Sequence, residues 1–139
     1  MNRIISTMAY DTVLAERMRP HLLPRAGVSE KAMFGGVAFL LYGNMCCGIW
    51  PASRGSDRKS GGRKDLLVIR LSKKEGAKVL KKPNTRVMDI TGRPMRGWLL
   101  VEPAGYKNDK ELFNWIDMAF AFASSLPRKQ NIRRHPRPI

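Results

Sequence analysis

The adjacent thiols Cys46 and Cys47 and the imidazole of His21 are the side chains here that could carry nucleophilic or proton-transfer chemistry. A cysteine nucleophile needs a base within hydrogen-bond reach, and His21 is the partner it would have to find in the fold. The second histidine, His135, lies in a basic, proline-broken tail. Neighbouring residues on a strand point to opposite faces, so Cys46 and Cys47 are not expected to share an ion or to bridge each other. No further cysteine or histidine pair stands at zinc-ligand spacing. The expectation is two free thiols, no catalytic residue, no metal ligand and no cofactor.

Three other groups invite a functional reading. Phe34-Gly35-Gly36 is glycine-rich but precedes an apolar run instead of opening a helix, and no P-loop pattern follows. A bend where backbone approaches backbone is expected there. In Thr91-Gly92-Arg93-Pro94-Met95-Arg96-Gly97-Trp98, two arginines flank a Gly/Pro turn and an indole follows. Guanidinium beside indole is common at recognition surfaces, so Arg93, Arg96 and Trp98 form a candidate interaction surface. The third group is cationic. Lys73, Lys74, Lys78, Lys81 and Lys82 cluster around one short helix, and Arg128, Lys129, Arg133 and Arg134 lie in the tail; together they are candidate polyanion contacts. Met33, Met45, Met88, Met95 and Met118 are expected to fill gaps in the core.

These cations belong to a strongly biased composition. The 139 residues carry 26 Lys plus Arg against 11 Asp plus Glu, a formal net charge of +15, with 43% hydrophobic residues. The length suits one domain, and the apolar content is that of a globular chain. Such a field attracts nucleic acid or acidic partners without reading sequence. No apolar run reaches bilayer-spanning length, and the start has no signal-peptide pattern, so a cytoplasmic protein that does not enter a membrane is expected.

The elements that must position these groups follow from periodicity and caps. Asp11 and Thr12 can cap a helix whose Leu14, Met18 and Leu22 form one stripe. Residues 37–42 and 45–50 read as a hairpin around a Gly-Asn turn. Residues 51–64 read as a mobile basic loop, and 66–71 as a strand too apolar to be solvated on both faces. Ser72 and Glu75 have capping-box spacing and open a short helix. Residues 86–90 and 97–103 read as two more strands around the Gly/Pro turn. Asn108 caps a last helix with a broad apolar face. The tail, 128–139, reads as disordered. The order α-β-β-β-α-β-β-α implies a two-layer α+β fold, an antiparallel sheet of about five strands with helices on one face. Strand alternation assigns Ala38, Leu40, Leu67, Ile69, Leu99 and Val101 to the side facing the last helix.

With those pieces in place, Met8 to Asp11, Glu30 to Ile49 and Met88 to Pro103, together with the last helix ending Phe122-Ala123-Ser124-Ser125-Leu126-Pro127, resemble the TfoX N-terminal-domain family (TfoX/Sxy). The resemblance covers residues 8–127. Residues 1–7 would be an extension, with Met8 as an alternative start, and the loop after Trp50 is longer than the family's usual connection. The resemblance implies the α+β fold above. It also implies a non-enzymatic role, since the better-known members, which carry a second C-terminal domain, regulate competence and act with the cyclic-AMP receptor protein at promoters. The expected function is therefore a regulatory or protein-interaction domain whose partner is another protein, a transcription regulator on this resemblance; a homodimer is compatible with it. The alternative is sequence-nonspecific nucleic-acid binding through the basic loop, helix and tail.

Overall fold

A computed structural model describes residues 10–33, 35–51, 65–88 and 92–129. Helix α1 (Thr12–Leu22) starts where the Asp11 carboxylate accepts the backbone N–H groups of Val13 and Leu14, and it buries Leu14, Met18 and Leu22. Six strands follow: β1 (Val28–Met33), β2 (Gly36–Leu41), β3 (Asn44–Trp50), β4 (Leu66–Arg70), β5 (Thr85–Met88) and β6 (Met95–Val101). Helix α2 (Lys73–Val79) joins β4 to β5, and α3 (Asp109–Ser124) closes the described fold. Ser72 Oγ caps α2 at Glu75 N–H, 3.0 Å, and Asn108 caps α3 at Glu111 N–H, 2.9 Å, as their spacing predicts.

The strands form one antiparallel sheet in the order β1-β2-β3-β4-β6-β5. The α+β class, the antiparallel sheet and the helices on one face all agree with the sequence reading. The sheet holds one strand more than the expected order, because β1, Val-Ser-Glu-Lys-Ala-Met, alternates too weakly to stand out. The β2–β3 connection is a two-residue turn of Tyr42 and Gly43, at φ 47° and 86°, one residue earlier than the expected Gly-Asn. Positive φ at both central positions matches the strand twist of a type I′ hairpin. Gly35 turns between β1 and β2 at φ 79°, and a Cβ on Gly36 would lie 2.0 Å from the Ile49 carbonyl oxygen. Backbone approach is thus what this glycine pair provides.

One side of the sheet carries the main core. Phe39, Ile69, Leu67, Leu99 and Val101 are fully buried there against Leu14, Met18, Leu112, Ile116 and Ala119 of the helices. The expected inward set holds for Leu67, Ile69, Leu99 and Val101. It is inverted in β2, where Val37, Phe39 and Leu41 face the helices and Ala38 and Leu40 face away. Every residue from Val37 to Leu41 is apolar, so the pattern offers no phase to choose by.

Two irregularities break alternation elsewhere. Between β2 and β3 the register passes from Phe39 opposite Cys47 to Leu40 opposite Met45, leaving Cys46 as the extra residue. Both thiols consequently lie in the helix-side core, against the expectation of opposite faces. In β6, Met88 of β5 pairs with Met95 after Val87 has paired with Leu99. Gly97, at φ 89°, sits in this bulge, where a Cβ would lie 2.5 Å from the Leu71 carbonyl oxygen. Gly76 of α2 packs on the same spot, its Cβ position 3.0 Å from Gly97 Cα, so the two glycines let helix and strand meet at backbone distance.

Candidate functional site: the open face of the sheet

The side of the sheet away from the helices is apolar and concave. Leu66, Val68, Met88 and Leu100 are buried on it, and Met45, Trp50, Met95 and Trp98 are half-buried beside them. A groove of about 1210 Å³ runs over this face, reaching from Met33 of β1 to Met88 of β5. Its floor is low because small residues meet in register: Ala38 pairs with Gly48, and Gly48 with Val68. Gly48 is obligatory at that point, since a Cβ would lie 2.4 Å from the Val37 carbonyl oxygen and 3.3 Å from the Met45 methyl.

Among the described residues, four cations line the groove, Lys31, Arg70, Arg128 and Lys129, and no carboxylate does. The Arg70 guanidinium lies 5.0 Å from the Trp98 ring centroid and 5.6 Å from that of Phe122. Arg128 lies 3.6 Å over the Tyr42 ring. Its neighbour Lys129 donates its backbone N–H to the Tyr42 carbonyl at 2.9 Å, and Asn44 Nδ2 donates to the Pro127 carbonyl at 2.9 Å. Residues 127–129 are therefore a strap on the β2–β3 turn. The first two residues of the tail, Arg128 and Lys129, are thus held against the sheet. Tyr42 offers its ring to the Arg128 guanidinium and its carbonyl to the Lys129 backbone N–H. The remainder of the tail, including Arg133, Arg134 and His135, lies outside the described residues, as do residues 52–64 of the basic loop.

Met33, Met45, Met88 and Met95 line the groove, so they are not gap-fillers of the main core as expected; Met118 packs against that core from α3. Of the Arg93, Arg96 and Trp98 cluster, only the indole joins the groove, while both arginines are exposed. Met95 and Trp98 reach the same face despite their odd spacing because the bulge at Gly97 intervenes. Lys31 and Arg70 escaped notice in the sequence: each is a lone cation in a strand, and only the register places them on one face.

The polyanion set divides. Lys73, Lys74, Lys78, Lys81 and Lys82 are all exposed on α2 and the turn after it, against β6, and none pairs with a carboxylate among the described residues. Arg128 and Lys129 sit at the β2–β3 turn instead.

The thiol and imidazole are placed for structure. Cys47 is fully buried, and its hydrogen bond with Cys46, then burial itself, pushes its pKa well above the ordinary value. That keeps the thiol protonated, the opposite of an activated nucleophile. His21 stacks on Phe113 at 4.1 Å, and its Nε2 lies 2.8 Å from Asp117 Oδ1. Arg25 Nη2 donates to the same Asp117 oxygen at 2.9 Å. Burial works against ionisation of Asp117, but the hydrogen bonds from His21 and Arg25 outweigh it and hold its pKa below the ordinary carboxylate value. This trio ties α1 and its C-terminal turn to α3. Among the described residues no group of three or more His, Cys, Asp or Glu is placed to hold a metal ion, and no helix is long and apolar enough to cross a membrane.

No protein-family model matches the chain, and no curated protein matches it either.

Proposed function

We propose that this chain is a non-enzymatic regulatory domain that works by docking another protein on the open face of its sheet. The observation that carries the reading is the groove itself. Apolar side chains from β2, β3, β4 and β6 stand there with no helix layer over them among the described residues. An apolar groove floored by buried side chains and walled by half-buried methionines and tryptophans offers a partner a contiguous surface to cover. Methionine and tryptophan suit the task, one adapting its shape and the other giving a large rigid contact. The two buried thiols, with Cys47 held protonated, and the engaged imidazole add nothing that would favour catalysis. The resemblance to TfoX N-terminal domains points the same way, toward a cytoplasmic regulator whose partner is a transcription protein.

A second reading has its own observation, the five exposed lysines on α2 and its following turn, none of them paired with a carboxylate among the described residues. Such a cluster binds nucleic acid without sequence preference, with an affinity that falls steeply as salt rises. Capture from native lysate with and without nuclease separates the two. Protein partners retained after nuclease support docking; loss of all bound material would leave the nucleic-acid reading in its place.

A further inference from the structure

We infer that the open face takes an acidic amphipathic helix of a partner protein, which would supply a second helix layer over the sheet. The inference rests on the docking reading above and names the chemistry of the occupant. Size comes first. The groove's 1210 Å³ exceeds the range of about 300–1000 Å³ in which small molecules are held. Its lining spans the sheet from edge to edge, roughly 20–25 Å at about 4.8 Å per strand. At 1.5 Å per residue that length is met by roughly 14–16 residues of helix. The trough over Ala38, Gly48 and Val68 receives bulky side chains from one stripe of such a helix, while Met45, Met95 and Trp98 wall it.

Charge then decides the kind of helix. Among the described residues, the four ionisable groups around the trough other than Tyr42 are cations: Lys31 at one edge, Arg70 beside Trp98, and Arg128 and Lys129 on the strap. Among the described residues none of the four has a carboxylate partner. Carboxylates flanking the apolar stripe of the partner would meet them at the rim, where opposite charge speeds encounter and fixes orientation. A second copy of this chain is disfavoured by the same arithmetic of signs, since two such faces would oppose cation to cation on chains of net charge +15 each.

The test begins with a displayed library of random 16-residue peptides, selected on the full chain at physiological salt. A synthetic peptide of the selected consensus is then titrated into protein labelled at the methionine methyls. The expected consensus alternates Asp or Glu with Leu, Ile or Phe at helical spacing. It should shift the Met33, Met45 and Met95 methyls and leave Met18, buried under α1, unmoved. The exposed pair Lys31→Glu and Lys129→Glu should weaken binding by about tenfold or more, with the fold intact by circular dichroism. A neutral or basic consensus seated on the same methyls would overturn the acidic helix and leave open-face docking standing. Methyl shifts that grow with protein concentration alone would assign the face to a second copy, and equal shifts from decanoate would assign it to a small amphiphile; each overturns the inference. Peptides that bind while all three methyls stay still would sink both this inference and the docking reading.

Discussion

The two faces of this sheet are built from alternating residues of the same strands, yet they differ in what completes them. On the helix side, Leu67, Ile69, Leu99 and Val101 meet α1 and α3, and every one of them is fully buried. On the other side, Val68 and Leu100 stand among methionines and tryptophans that keep part of their surface exposed. Apolar burial scales with area removed from water, so the first face holds the fold together and the second contributes less in the free protein. The difference teaches that apolarity alone does not locate a core. What matters is whether the fold brings a second layer to the face.

The sharpest way to break this contrast is truncation on each side. Ile116→Ala or Ile69→Ala should cost about 2–5 kcal/mol, because a fully packed site collapses poorly around a cavity. Met45→Ala on the open face should cost less than about 1.5 kcal/mol, since a half-buried side chain loses less. Urea unfolding of the three variants gives the comparison directly, and equal costs would mean that both faces are core. Gly97→Ala comes next, at about 1–3 kcal/mol, from a backbone at positive φ and a Cβ driven into the Leu71 carbonyl. Its effect should fall on the α2–β6 contact and leave the α3 side folded by hydrogen exchange.

Much of the helix side is legible in the sequence. Leu14, Met18 and Leu22 recur at helical spacing, and Asp11, Ser72 and Asn108 announce the three helix starts by cap chemistry acting over two or three residues. The open face is not legible in the same way. Its outline depends on the phase of β2, which an all-apolar run leaves undetermined, and on bulges at Cys46 and Gly97 that only pairing reveals. Lys31 and Lys129 lie far apart in the chain and meet around one groove because the strap folds back on the β2–β3 turn. Long-range register of that kind leaves no local trace.

Two smaller effects sharpen the contrast within the helix side. Cys46 and Cys47 should resist iodoacetamide in the native state and react fully in denaturant, because both are buried and the hydrogen bond with Cys46 and burial keep Cys47 protonated. Rapid native labelling would show that this part of the core opens easily. The least effect is expected at Asp117. Its folded pKa lies below the unfolded value, so its contribution is present above the unfolded value and is lost as pH falls through the folded one. Asp117→Asn should therefore flatten the acid limb of stability below the ordinary carboxylate range. At neutral pH it should cost only about 0.2–1 kcal/mol, since the carboxylate is half exposed and screened.

The most direct measurement sets the two candidate surfaces against each other on one retained partner. Calorimetric titration of that partner, after nuclease treatment, would compare Met45→Asp with Trp98→Ala on the open face and Lys73→Glu with Lys74→Glu on α2. The expected result is loss of most of the affinity in the open-face pair and little change in the lysine pair, with both proteins folded. Affinity lost with the lysines and kept with Met45→Asp and Trp98→Ala would contradict the assignment of the open face as the docking surface.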